Sequence, residues 1–176
     1  MTHVALLRGI NVAGKHLLPM KELAGLFADA GCTGVRTYIQ SGNVIFEAPA
    51  GTKGLAETMA AKIEKRFGFR VPVILRTSMQ LRQAIRDNPF LKAGVDQKAL
   101  HLYFLAAAPN AAAIAGLDTE RSSSDVFHVR GQDIYLHLPN GMGRTKLTNA
   151  YFDSKLSTIC TARNWATVLK LAEMME

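Results

Sequence analysis

The run Val4-Ala5-Leu6-Leu7 most constrains the fold. Every position is apolar, with no polar alternation, so neither side of the segment can face water. That suits a central strand buried on both faces. The residues that follow set out the other elements. Gly9 to Leu18 reads as a polar loop, and Pro19 then opens a helix at a position where a missing N–H costs nothing. Met20, Leu23, Phe27 and Ala30 share one helical face, and Gly31 stops it. Val35 to Gln40 alternates as a strand with Val35, Thr37 and Ile39 on one side. Ser41-Gly42 turns the chain tightly into a partner strand over 43–46. Thr52 is expected to cap a second helix striped by Leu55, Met59, Ile63 and Phe67 and ended by Gly68. Val71 to Arg76 is a strand whose Pro72 marks an edge. Ser78 is expected to cap a third helix that Asn88-Pro89 terminates.

The order β-α-β-β-α-β, then a helix, is the ferredoxin-like split βαβ pattern. The rest of the chain partly repeats it. A strand runs over 99–105, an Ala-rich helix over 109–115, and a hairpin over 125–138 turns at Gly131-Gln132. Two helices close the chain, from about Thr145 to Leu156 and from about Asn164 to Met175. The expected fold class is therefore α+β, with two packed ferredoxin-like (split βαβ) halves, pseudo-duplicated. Residues 1–94 form a βαββαβα half and 95–176 a βαββαα half, together one compact unit. The first and third strands are read as parallel, which sends the Ser41-Gly42 turn to the sheet end opposite Gly9.

Composition bounds the function classes. Of 176 residues 48% are hydrophobic, which excludes a disordered chain. No apolar run approaches the 18 or so residues of a membrane-spanning helix, and no basic leader precedes Val4. A cytoplasmic protein without a membrane partner is expected. Cys32 and Cys160 belong to no Cys-x-x-Cys pair, so they read as buried small residues in a reducing compartment. His3, His16, His101, His128 and His137 are scattered, so neither a metal nor a cofactor is expected. The formal charge of +7 favours weak attraction to polyanions. Lys62, Lys65 and Arg66 read as a solvated helix face.

Four stretches are weighed for candidate chemistry. Gly9-Ile10-Asn11-Val12-Ala13-Gly14-Lys15-His16 nearly fits the phosphate-binding loop G-x-x-x-x-G-K-[ST]. However, His16 stands where a hydroxyl must hold Mg²⁺, and the helix begins only at Pro19. Nucleotide hydrolysis is therefore set aside, and Arg8, Asn11 and Lys15 remain as metal-free anion contacts. Gln40-Ser41-Gly42-Asn43 is explained by a hairpin turn. Gly141-Met142-Gly143-Arg144-Thr145-Lys146 places cations beside glycines as an anion nest would. Arg163 and Asn164 open the last helix, with Thr161 or Asn164 as its cap. There the arginine opposes the helix dipole unless an anion lies between them. No nucleophile elbow and no paired carboxylates occur, so no reaction is assigned.

Leu6-Leu7-Arg8-Gly9-Ile10-Asn11-Val12 with Gly14-Lys15, Tyr38-Ile39-Gln40-Ser41-Gly42-Asn43-Val44, Thr145-Lys146-Leu147-Thr148 and Arg163-Asn164-Trp165-Ala166-Thr167-Val168 occur in this order. With these motifs the chain resembles the bacterial family known as domain of unknown function 1697 over nearly its whole length. It departs from the family at Ala13, where a second glycine is usual. The resemblance implies a two-part α+β fold and no reaction.

The leading reading is a protein that binds or acts on a small phosphorylated or otherwise anionic ligand. Arg8, Asn11 and Lys15 would form one wall, with Arg144, Lys146, Arg163 and Asn164 on the other side. Ser41 and Asn43 would orient the ligand. One alternative is weak, non-specific nucleic-acid binding on a polar-aromatic sheet face bearing Tyr38, His101, Tyr103, Tyr135 and His137. The other is a regulatory or assembly module without catalysis. The sequence sets no oligomeric state.

Overall fold

The computed structural model describes all 176 residues, Met1–Glu176. They divide into two units, Met1–Arg82 with Leu171–Glu176, and Gln83–Lys170. The fold is mixed α+β, with two four-stranded antiparallel sheets and six α-helices. No helix is long and apolar enough to cross a membrane.

The first unit runs β1 (Thr2–Leu7), α1 (Met20–Asp29), β2 (Thr33–Tyr38), β3 (Asn43–Glu47), α2 (Leu55–Phe67) and β4 (Val73–Thr77). Its sheet order is β2-β3-β1-β4. The apolar run is therefore central, and Val4 through Leu7 are all fully buried. Ala5, Leu7, Val44 and Phe46 face α1 and α2, where they pack with Leu23, Phe27, Met59 and Ile63. Each large side chain buried there contributes about 1.5–3 kcal/mol. Val4 lies opposite both Ile45 and Arg76, so these share the other face, which is also buried.

The second unit holds α3 (Ser78–Arg86) from Gln83 onward, 3₁₀ turns at Leu91–Ala93 and Gln97–Ala99, β5 (Leu100–Leu105), α4 (Ala111–Ala115), β6 (Val126–Arg130), β7 (Asp133–His137), α5 (Asn149–Leu156), β8 (Cys160–Asn164) and most of α6 (Trp165–Met174). Its sheet order is β6-β7-β5-β8. Tyr103, Leu105, Ile134 and Leu136 pack with Tyr151, Phe152 and Leu156 of α5.

Several sequence expectations change. The chain does not close on two helices alone, because Cys160–Asn164 is a strand paired antiparallel to β5. Gly54, in the left-handed region at φ 71°, precedes α2 instead of Thr52. Thr77 caps α3 instead of Ser78: its Oγ1 accepts the Gln80 N–H, and Gln80 Oε1 accepts the Thr77 N–H. That reciprocal pair is a capping box. Ile39 is not a strand residue but sits in the turn at φ 50°.

Each unit holds one histidine on its first strand, aligned across the sheet with the last residue of the fourth. His3 lies opposite Thr77, and His101 opposite Asn164. Burial lowers the pKa of both imidazoles. Each unit also holds one buried free cysteine, Cys32 in the first and Cys160 in the second, and burial raises the Cys32 thiol.

Candidate functional site

β3 runs antiparallel to β1, with Leu6 opposite Asn43. The Ser41-Gly42 turn and the loop after Leu7 therefore leave the same end of the sheet. The parallel reading of the first and third strands is overturned, because β3 inserts between β1 and β2 and opposes both. The Leu7 N–H donates to Gly42 O at 2.8 Å. A Cβ on Gly42 would stand 2.7 Å from Leu7 Cβ and 2.9 Å from Ile10 Cδ1 at a φ of +83°, so only glycine fits.

Asn11 joins loop to turn. Its Nδ2 donates to Leu18 O at 3.0 Å and to Gln40 O at 2.9 Å, while its Oδ1 accepts the Leu18 N–H at 2.8 Å. Asn43, fully buried, donates to Tyr38 O and Ser41 Oγ, both at 3.0 Å. Both amides thus hold the backbone of the composite loop. The His16 ring stacks on Phe69 with centroids 4.6 Å apart, and its Nδ1 lies 3.0 Å from Gly9 O. Lys15 N–H donates to Val12 O at 2.9 Å, which closes the tip of the loop in a tight turn.

Asn11, Ala13, His16 and Ile39 all have φ between 50° and 52°. For a β-branched residue such as Ile39 that is a strained conformation. Ala13 adopts φ 50°, a conformation that glycine takes without strain. Lys15, Val12, Leu17 and Ile39 stand exposed around this braced backbone, and Arg8 is half-buried.

In the second unit the Gly141–Lys146 stretch meets a serine run. Lys146 N–H donates to Ser122 Oγ at 3.2 Å, and Lys146 O accepts from Arg121 Nε at 2.9 Å. The Arg121 guanidinium lies over the Tyr151 ring at 4.2 Å. These bonds shape a cleft of about 180 Å³ lined by Ser122, Ser123, Ser124, Asn140, Arg144 and Lys146. Asp125 also lines it, and its Oδ2 accepts the Ser122 hydroxyl at 2.5 Å. Arg144 and Lys146 are thus brought together, as their spacing suggests. The serines and Asn140 were not expected. The only signal for them was three consecutive hydroxyls before an acid.

Arg163 and Asn164 are not in that cleft. Arg163 belongs to β8, opposite Leu102, and is buried. Its Nη1 donates to Thr161 Oγ1 at 3.0 Å and to Ala162 O at 2.7 Å, and burial lowers its pKa to about 10. It is therefore a strand residue and does not face the dipole at the helix start. Asn164 does cap α6, its Oδ1 accepting the Thr167 N–H at 2.8 Å. The expected polar-aromatic face is also reassigned. Tyr103 and Tyr135 are buried, with hydroxyls donating to Leu147 O and Ala84 O. The cations of α2 are solvated, and Arg66 pairs with Glu22. No three His, Cys, Asp or Glu side chains converge as a metal site requires.

The model of the family described as Protein of unknown function (DUF1697) matches residues 1–135, and the chain belongs to that family. The fold is similar to that of the conserved bacterial protein SP0830 from Streptococcus pneumoniae, with a TM-score of 0.75 and 20% identity over 99% of this chain and 98% of that one. No curated protein matches.

Proposed function

We propose that the protein binds a small anionic molecule, phosphate- or carboxylate-bearing, in the cleft formed by Ser122–Ser124, Asn140, Arg144 and Lys146. The observation that carries this reading is the convergence of two exposed cations with a run of serine hydroxyls in one concave, polar site. Charge-assisted hydrogen bonds are about twice as strong as neutral ones. Asp125 offsets one of the two cations and positions Ser122, which leaves room for one negative charge. At about 180 Å³ the cleft is smaller than the roughly 300 Å³ of ordinary ligand pockets, so it accepts a compact anion or the anionic head of a larger molecule. The test is a thermal melt with and without inorganic phosphate. The wild type should be stabilised. The Arg144→Ala/Lys146→Ala double variant should melt at the unliganded wild-type temperature and gain nothing from phosphate. A wild type indifferent to phosphate and to small phosphorylated metabolites would overturn the reading.

A second reading, an assembly module, is favoured by Val12, Leu17 and Ile39 standing exposed beside Arg8 and Lys15 on braced, left-handed backbone. Sedimentation of wild type against Ile39→Asp checks it: self-association lost in the variant supports it, and identical monomers remove it. Nucleic-acid binding loses two of its three stacking candidates, because Tyr103 and Tyr135 lie in the core, and keeps the net charge and the half-buried Tyr38 in its support. We also infer that the two halves of the chain repeat one ferredoxin-like plan. In its support, β1-α1-β2-β3-α2-β4-α3 and β5-α4-β6-β7-α5-β8-α6 correspond element by element, with matching sheet orders.

A further inference from the structure

A second cleft of the second unit, of about 280 Å³, lies between the start of α6 and the turn preceding β5. Trp165, Ala166 and Leu169 give it a mostly apolar lining, while Gln97, Lys98 and Asn164 supply polar groups. Lys98 is its one charged residue. The nearby Asp96 does not line the cleft, and its Oδ1 accepts the Lys98 N–H. Leu169 is 39% exposed, although its helix neighbours Trp165, Val168 and Leu171 are buried. The lining thus pairs apolar surface with a single positive charge, unlike the hydroxyl-rich cleft at Arg144 and Lys146.

We propose that this cleft binds a small monoanion with an apolar body, of which an aromatic carboxylate is the fitting class. The ring would lie against Leu169, Ala166 and Trp165, and the carboxylate would meet the Lys98 ammonium. The volume is near the low end of small-molecule pockets, about 300 Å³, which suits one or two rings. An anion without an apolar body would leave Leu169 in water, and a neutral aromatic would leave Lys98 without a counter-charge.

Trp165 is the only tryptophan in the chain, so its fluorescence reports on this cleft directly. The full chain is titrated with 3-phenylpropionate, with 3-phenylpropan-1-ol and with inorganic phosphate. The carboxylate should change Trp165 emission saturably. The alcohol should bind about tenfold more weakly, as should the carboxylate to Lys98→Met, the scale of one charged hydrogen bond at a solvated site. Leu169→Glu should abolish the response, and phosphate should give none. The Arg144→Ala/Lys146→Ala variant should respond as wild type does, which separates this cleft from the polar one. No saturable change overturns the proposal. So do equal affinities in wild type, Lys98→Met and Leu169→Glu, a response to phosphate alone, or a response lost in the Arg144→Ala/Lys146→Ala variant.

Discussion

The two units are alike along their strands and differ at one end of them. Leu7 N–H donates to Gly42 O as Leu105 N–H donates to Gln132 O, both at 2.8 Å. Arg8 N–H reaches Pro72 O as Ala106 N–H reaches Ile159 O. Val4 faces Arg76 as Leu102 faces Arg163. Beyond these matched points the first unit builds the braced loop of Gly9–Leu18 and a turn through Ile39, where four non-glycine residues are left-handed. The second unit passes from Ala106 to a short helix capped by Asn110, and turns its hairpin at Gly131-Gln132. The central pairings of the two sheets run in the same continuous register, while β2–β3 shifts register between Thr33 and Arg36 and β6–β7 does not. The connections diverge further, and strain accepted there points to use beyond folding.

The largest test of the match is at the helix starts. Trp165 and Ser78 each follow the cap of the helix after a fourth strand. Trp165→Ala should cost about 3–5 kcal/mol in urea unfolding, as loss of a buried aromatic does. Ser78→Ala should stay within about 0.5 kcal/mol. Similar losses at both would show that the two helix starts carry the same load despite their different residues.

Next are the paired arginines. Arg76 is 4% and Arg163 7% exposed, and both donate from Nη1 to the carbonyl of the residue before. Each Arg→Ala variant should lose about 2–4 kcal/mol, through bonds and packing together. A loss at one alone breaks the correspondence, and a gain at Arg163 would restore the idea of a cation set against a helix dipole.

Gly42→Ala should cost about 2–3 kcal/mol, because the new methyl meets Leu7 and Ile10 in a left-handed backbone. Gly131→Ala, with nothing within 4 Å, should cost about 1 kcal/mol, for its φ alone. Equal costs would mean that the turn at Gly42 is no tighter than its counterpart.

The smallest effect is on pH dependence. Burial is the main cause holding both His3 and His101 below the ordinary imidazole pKa of about 6.5. The unfolded chain therefore takes up protons first. Stability is full above about pH 6.5 and is lost as pH falls through the folded-state values, by at most about 1.4 kcal/mol per pH unit for each group. His3→Gln and His101→Gln should each flatten the acid limb of a stability-against-pH curve. Flattening by only one would separate the two positions.

The sequence made some of this legible and hid the rest for physical reasons. Val4–Leu7 has no polar residue to mislead, so its central place could be read directly. Cys160–Asn164 could not, because Thr161 and Arg163 are polar residues that the fold buries, and burial with internal hydrogen bonds leaves no mark on periodicity. Ile39 fits the alternation of a strand, yet the turn takes it into the left-handed region. Asn11 and Asn43 stood out by motif. Their work, however, is hydrogen bonding to backbone, in one case 29 residues away, and only the fold shows that. Arg144 and Lys146 are neighbours in sequence, and so were found. Ser122–Ser124 reach them across the chain, and so were not.

The two buried cysteines have a practical consequence. Cys32 and Cys160 are the chain's only thiols, one in each unit. Cys160 is fully buried and Cys32 is 7% exposed, so alkylation of each speeds up when its surroundings open. Pulsed labelling followed by mass analysis of the fragments would therefore time the opening of each unit separately in one sample. Equal rates would mean that the units unfold together, and unequal rates would rank their local stabilities without any substitution.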